Sequence, residues 1–366
     1  MKKRIIPVSL IVLCILSSCS QTPDNIQGNN HNVGLNSEND KVSVEHILDD
    51  FDEAFETKYT KFSLPEKSKV IINQPEEVCD LELKYVNADK NIDWMKNKLV
   101  KFLDLLDIPN NENFKNINNT KLVFETNKHR VVTRQISRPY YCLNGDWNSS
   151  EMVTSKIEYI NRINSKDSEK YKTIIDKSVK LANEINNLMD GELKNEPTDL
   201  YIKDYNGETF YELDLQQSYK SVGIQCIYPK HPVSDMTEGN NALMAMSMYS
   251  HLLYDSNLNL YFFNGCNNYI PIKEKQIENI ISFKGVCDIL EEELASNVSM
   301  EFDDVKLWYE PRGTILDATS EDGFDGTKTI KCTPKWYFIS DEENGDFHGI
   351  SYVTVDCVTG EVEVVV

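Results

Sequence analysis

Residues 351–366, SYVTVDCVTGEVEVVV, carry the pattern that decides the fold of the C-terminal part of the chain. Apolar and polar residues alternate from Val353 to Cys357, which is the period of a half-buried β-strand. Thr359 and Gly360 follow where a tight turn is needed, and glycine readily adopts the positive φ angle of such turns. The valines after the turn favour a second strand. The stretch therefore predicts a β-hairpin.

The residues before this hairpin predict a helix followed by further strands. Ser282 is a suitable helix N-cap, and apolar residues recur behind it at helical spacing as far as Leu294. Four strands are then predicted, at residues 300–310, 335–340, 350–357 and 362–366.

This C-terminal segment resembles a PepSY-like domain over residues 275–366. The best match is its ending, where the family pattern is a strand that closes on Val-Asp-Ala-x-Thr-Gly-Glu-Val; residues 355–362 follow that pattern with Cys357 in place of alanine. Such domains occur in peptidase propeptides and in membrane-tethered regulators associated with bacterial two-component sensors. The resemblance implies a binding function, and its motif is structural rather than catalytic.

The N-terminus has the features of a bacterial lipoprotein signal. Lys2, Lys3 and Arg4 precede the apolar run from Ile5 to Leu16, which is too short to span a bilayer as a permanent helix. Residues 16–19, Leu-Ser-Ser-Cys, resemble a lipobox, which implies cleavage before Cys19 and lipidation of Cys19. The expected location is the extracytoplasmic face of the cell membrane, with the lipid as the anchor.

Residues 20–40 predict a flexible tether, because they are rich in Asn, Gly and Ser and contain almost no large apolar side chains. The expected organisation is a signal peptide at 1–18, the lipidated cysteine with its tether at 19–42, an α+β domain at 43–165, a middle α+β unit at 166–272 and the PepSY-like domain at 273–366. The expected fold class is α+β, made of tandem small units in which a helix packs on an antiparallel sheet.

The region from residue 43 to residue 263 predicts three amphipathic helices, at 44–55, 92–106 and 168–188. Asn206-Gly207 is a strong hairpin signal between two of the predicted strands. Met244, Met246 and Met248 alternate with small residues, which favours a half-buried strand over a soft-metal site. The predicted strands are at 69–73, 79–86, 122–125, 130–136, 199–205, 209–215, 222–228 and 258–263.

Charge and cysteine content limit the classes of partner. The chain has 38 Lys and Arg against 59 Asp and Glu, a net charge of −21 at pH 7. Such an acidic protein repels nucleic acid, so no nucleic-acid partner is expected. The cysteines after Cys19 contain no Cys-x-x-Cys pair and predict no particular disulfide; they are Cys79, Cys142, Cys226, Cys266, Cys287, Cys332 and Cys357.

The sequence has no catalytic or cofactor signature. It lacks a Gly-x-Ser-x-Gly elbow, a His-Glu-x-x-His helix, a P-loop and a dinucleotide fingerprint. A zinc site could be drawn from Cys226, His231, His251 and Cys266, but their spacing matches no established pattern. The acidic segments 321–326 and 341–346 lack EF-hand spacing, although calcium could use their carboxylates. We therefore expect no enzyme, no cofactor and no metal.

Two functions follow as hypotheses. The first, implied by the resemblance, is a non-enzymatic lipoprotein that binds the outer domain of a sensor kinase or a peptidase, with a regulatory or inhibitory effect. The alternative is a lipoprotein that captures a peptide, sugar or ion for a transporter, which would need a polar and aromatic binding cleft.

Overall fold

The computed structural model describes residues 41–70, 72–85, 92–109, 114–118, 121–134, 137–143, 152–159, 165–224, 249–265, 269–296, 299–312, 319–320, 323–324, 329–341 and 350–365. Cys19 and the tether lie outside these residues. Within the described part of the chain, no helix is long and apolar enough to cross a membrane.

Four α-helices occur in the described residues. They are α1 (Phe51–Glu56), α2 (Ile92–Leu105), α3 (Ser165–Leu188) and α4 (Phe283–Glu293), and short 3-10 helices occupy Val44–His46 and Lys67–Lys69. Ser282 caps α4 as predicted, because its Oγ accepts a hydrogen bond of 3.2 Å from the backbone N–H of Gly285.

The strands are more numerous than the helices. They are β1 (Lys41–Ser43), β2 (Phe62–Ser63), β3 (Cys79–Tyr85), β4 (Phe114–Asn118), β5 (Lys121–Glu125), β6 (His129–Arg134), β7 (Ser137–Leu143), β8 (Val153–Tyr159), β9 (Lys194–Tyr205), β10 (Glu208–Tyr219), β11 (Val222–Ile224), β12 (Tyr249–Asp255), β13 (Leu260–Asn264), β14 (Tyr269–Gln276), β15 (Asn279–Ile281), β16 (Met300–Glu301), β17 (Asp304–Arg312), β18 (Thr319–Ser320), β19 (Gly323–Phe324), β20 (Thr329–Asp341), β21 (Ile350–Asp356) and β22 (Val362–Val365).

Sixteen of these strands form one continuous sheet. Its main path runs in the order β14-β3-β20-β17-β11-β10-β12-β13-β7-β6-β5-β4. Strands β21 and β22 extend it from β20, and β9 and β8 extend it from β10. Neighbouring strands of this sheet are antiparallel, apart from the parallel pair of β11 and β17. The three other pairs, β1 with β15, β2 with β16 and β18 with β19, form two-stranded sheets.

This topology shows that the predicted fold class is wrong. We expected α+β units in tandem, each with a helix on a small sheet of its own, and a PepSY-like unit at the end. Instead the protein is predominantly β, and strands from all three expected units join one sheet. The contacts that join them, such as β3 with β20 and β7 with β13, link segments far apart in the sequence. Local periodicity contains no information on such pairing.

Two hydrophobic cores lie on the helix-bearing side of the sheet. One packs α1 and α4 against β3, β17, β20 and β21, with Phe283, Trp336 and Val355 fully buried. The other packs α2 and α3 against β5 to β7, β10, β12 and β13, with Leu213 and Leu252 fully buried. Each core combines segments from distant parts of the chain, and the proposed domain boundaries at 165 and 272 stay a prediction.

The hairpin between β9 and β10 follows the sequence signal. Asn206 and Gly207 have φ angles of 51° and 82°, the left-handed values required at the centre of a type I′ turn. Beyond this turn, Leu213 and Leu215 enter the core, so Asp214 between them faces the other side of the sheet. The hairpin thus fixes which side chains of β10 avoid the core.

Candidate functional site

A row of polar side chains crosses three neighbouring strands on the side of the sheet opposite the two cores. Asp214 on β10 is paired in register with Asp199 on β9 and with His251 on β12. Glu212 lies two residues before Asp214 and therefore on the same side of β10. The pleat brings these four groups together, and we call them the carboxylate–histidine cluster.

Short distances connect three members of the cluster. His251 Nδ1 lies 2.6 Å from Asp214 Oδ1. One ligand atom from each of Glu212, Asp214 and His251 can be chosen so that all three atoms lie within 4.8 Å of one another. The side chains are 26%, 15% and 35% exposed, respectively, so solvent reaches the cluster without surrounding it.

Two lysines balance part of the negative charge. Lys203 on β9 forms a close ion pair with Glu212. Lys306 on β17 pairs with Asp304 at 3.0 Å, and both groups act electrostatically on Asp199. The carboxylates of the cluster and of Asp304, together with the two ammonium groups, leave a net charge of about −2 beside His251.

Asp199 has the most perturbed ionisation in the cluster. Burial disfavours its charged form, and the neighbouring negative charge of Asp214 adds to the effect, so the pKa of Asp199 rises to about 6. Lys306 opposes this rise without cancelling it. A carboxyl group in this state changes its charge close to neutral pH.

The cluster lies on a rigid support. Leu213 and Leu215 alternate with its residues along β10 and are fully buried in the core behind it. Further along the same side, a Cβ on Gly223 would lie 2.8 Å from the ring of Trp308 and 3.1 Å from Gln216 Oε1. The face of the sheet that carries the cluster on β10 therefore extends across β11 to β17, where Trp308 lies on it.

The sheet has a second feature of functional interest, its free edges. Among the described strands, β4, β8, β14 and β22 each pair on one side only. Strands β4, β8 and β14 each contain a β-bulge, at residues 116–118, 154–156 and 271–273. Bulges twist an edge and discourage pairing with other chains. Strand β22 pairs with β21 in unbroken register, so its outer edge lacks this protection.

Strand β22 contacts a buried lysine of β20 through Glu363. Lys335 is 1% exposed, and its Nζ lies 2.7 Å from Glu310 Oε2 and 2.9 Å from Glu363 Oε2. Thr354 Oγ1 lies 3.3 Å away. These contacts fix the position of β22 against β20 and β21.

Most residues considered for metal or lipid chemistry in the sequence lie outside the described residues. These are Cys19, Cys226, His231, Cys266, Met244, Met246, Met248 and most of the two acidic segments. His251 is described, and its Nδ1 contacts Asp214 Oδ1.

Sequence reasoning did not identify Asp199, Glu212 or Asp214. The available signal was the alternation Glu212-Leu213-Asp214-Leu215 directly after the Asn206-Gly207 turn, which places two carboxylates on one side of a strand. Their approach to His251 depends on the pairing of β10 with β12, which that alternation does not reveal.

Comparisons with known proteins show the fold alone. No family model matches the chain, and no curated protein matches it. A solved structure, described as an uncharacterized protein from Eubacterium rectale ATCC 33656, superposes with a TM-score of 0.50 at 14% sequence identity. The match covers 84% of this chain and 92% of that one. The fold of this chain is therefore similar to that of the Eubacterium rectale protein over most of the length of both chains.

Proposed function

We propose that the protein is a lipid-anchored, extracytoplasmic binding protein without enzymatic activity, and that it docks an extended segment of another protein against the outer edge of β22. The observation that carries this proposal is the contrast between β22, which has no bulge, and the bulged edges of β4, β8 and β14. The anchor is the expected lipid on Cys19.

Strand β22 offers defined backbone groups to a partner strand. The backbone N–H of Asp356 donates to the C=O of Glu361, which makes that pair hydrogen-bonded. Because hydrogen-bonded and non-hydrogen-bonded pairs alternate along an antiparallel ladder, the N–H and C=O groups of Val362 and Val364 point outward. A partner strand can complete the ladder there, as in β-augmentation.

The charge of this edge selects the partner chemistry. Glu361 and Glu363 are exposed and flank the outward-pointing groups of Val362. Because Glu363 already pairs with Lys335, an extended segment with Lys or Arg opposite Glu361 complements the remaining charge, and the overall charge of −21 favours the same partner. The sequence of residues 355–362, which resembles the ending of PepSY-like domains, supports two candidate partners, the outer domain of a sensor kinase and a peptidase.

The test is photo-crosslinking in the cell from a probe at Glu361. We expect one recurrent membrane or secreted protein to be captured by the wild-type chain and by Val364→Ala, which keeps the backbone N–H. Val364→Pro removes that outward N–H without removing a bond to β21, so we expect at least a tenfold loss of crosslinking, equivalent to about 1.4 kcal/mol.

A probe at Lys275, on the bulged edge of β14, serves as the position control. Equal capture of the same protein by the Ala and Pro variants at position 364, with both variants folded as judged by thermal unfolding, would contradict strand addition at β22. Capture from Lys275 alone would place the interface elsewhere.

A further inference from the structure

We propose that Glu212, Asp214 and His251 bind one divalent transition-metal ion, with Zn²⁺ as the best-fitting member of that class. This goes beyond the docking proposal and is independent of it, since the cluster lies on the face of the sheet and docking uses the edge at β22.

The distances fit a common metal ion. Zinc binds imidazole nitrogen and carboxylate oxygen at about 2.0–2.2 Å in tetrahedral geometry, so two ligand atoms on one ion are about 3.4 Å apart. The three ligand atoms already lie within 4.8 Å of one another. Side-chain rotations that shorten these separations by at most about 1.4 Å bring Glu212, Asp214 and His251 to bonding distance.

The ligand chemistry selects the class of ion. One imidazole and two carboxylates suit Zn²⁺ or a related first-row ion, whereas Ca²⁺ prefers six to eight oxygens and Cu⁺ prefers sulfur. The groups come from adjacent strands of one sheet, which hold their backbones at fixed spacing.

The charge of the surroundings also fits a dication. The carboxylates of Asp199, Glu212, Asp214 and Asp304 outnumber the ammonium groups of Lys203 and Lys306, and a 2+ ion neutralises the excess. Asp199 is paired in register with Asp214. It can therefore serve as a further oxygen ligand or as a hydrogen-bond partner of one.

Lys203 competes with the metal in this arrangement. Its ammonium group pairs with Glu212, and that interaction must open or shift before Glu212 binds an ion. Replacement of Lys203 by an uncharged residue removes the competing ammonium group and leaves all three ligands in place. Lys203→Met is therefore expected to bind metal more tightly than the wild-type protein.

The experiment is calorimetric titration with Zn²⁺ of full-length protein, purified in detergent and freed of metal with a chelator. We expect a saturable site whose affinity falls at least about tenfold in Asp214→Asn and in His251→Gln, and rises several-fold in Lys203→Met. Thiols also bind Zn²⁺, so the assignment depends on these changes in affinity rather than on stoichiometry.

His46 provides a matched control. Its Nδ1 lies 2.8 Å from Asp49 Oδ2 and its Nε2 lies 3.6 Å from Glu45 Oε1, but all three side chains are more than half exposed. We expect His46→Gln to bind Zn²⁺ as the wild type does.

Three results would overturn the site: no saturable binding to the wild type, equal affinity in wild type and His251→Gln, or loss of binding in His46→Gln. If Asp214→Asn does not fold, the titration of Lys203→Met still tests the site. An affinity for Zn²⁺ in Lys203→Met equal to that of the wild type would exclude Glu212 as a ligand.

Discussion

The pKa of Asp199 makes the stability of the protein dependent on pH. A carboxyl group whose pKa is raised by folding binds its proton more tightly in the native state. It therefore contributes stability at low pH, and this contribution is lost as the pH rises from about 4 to about 6. Above pH 6 the native state contains a partly buried carboxylate beside Asp214.

Asp199→Asn removes this effect. We expect the variant to gain stability relative to the wild type as the pH rises from 4.5 to 7.5, by about 1–2 kcal/mol. Urea unfolding at the two pH values, in the presence of a chelator, measures the difference. An identical difference between variant and wild type at both pH values would show that Asp199 does not titrate in this range.

Substitution of Lys335 measures how much its buried charge contributes to the stability of the protein. Lys335→Met removes the cation from beside Glu310, whose side chain is only 16% exposed, and we expect a loss of about 3–5 kcal/mol. The double variant Lys335→Met/Glu310→Gln removes both charges and should lose clearly less than Lys335→Met alone. Chemical denaturation measures the free energy of unfolding of both variants. A double variant that is less stable than Lys335→Met alone would contradict charge compensation.

Single residues were predictable where the cause is local. Ser282 as a helix cap and Gly360 at a turn, with a φ angle of 75°, are confirmed, because each depends on a few neighbouring residues. The link between Asp214 and His251 was not predictable, because it arises from the pairing of two strands.

At the scale of elements, long amphipathic segments were predicted well. The helices expected at 92–106 and 168–188 correspond to α2 and α3, and the Asn206-Gly207 hairpin to β9 and β10. The helix expected at 44–55 is divided into a 3-10 helix and α1. The strand expected at 69–73 is wrong for the described residues, because Lys69 ends a 3-10 helix and residues 70, 72 and 73 belong to no strand. Short apolar runs do not distinguish these states.

The expected strands also show what local patterns omit. Residues 335–340 were expected as a six-residue strand, whereas β20 has 13 residues and pairs with β17, β21 and β3. Its first part, before Pro334, alternates polar and apolar residues and pairs with β3, but it is only five residues long and Pro334 follows it. Tertiary pairing extends the strand beyond the segment that its sequence pattern indicates.

At the scale of the whole molecule, the continuous sheet predicts cooperative unfolding. Leu213→Ala creates a cavity in the core of α2 and α3 and should cost about 2–5 kcal/mol. Because β10 is linked to β17 through β11, we expect faster hydrogen exchange in β20 as well as in β12.

Hydrogen exchange followed by mass spectrometry checks this expectation, with Val355→Ala in the other core as the reciprocal variant. Acceleration confined to the strands around the substituted residue would contradict a single cooperative unit. It would then divide the sheet into two parts that unfold separately, one around each core.

The pairing of β3 also determines when the fold can be completed. The backbone N–H of Cys79 donates to the hydroxyl of Tyr309, 230 residues later in the chain, and β3 completes its ladder with β14 and β20. As the ribosome makes the chain, β3 is among the first strands to appear, yet its partners are made much later. Its apolar side chains stay open to chaperones throughout that interval, and slow formation of these long-range contacts is the expected limit on the rate of maturation.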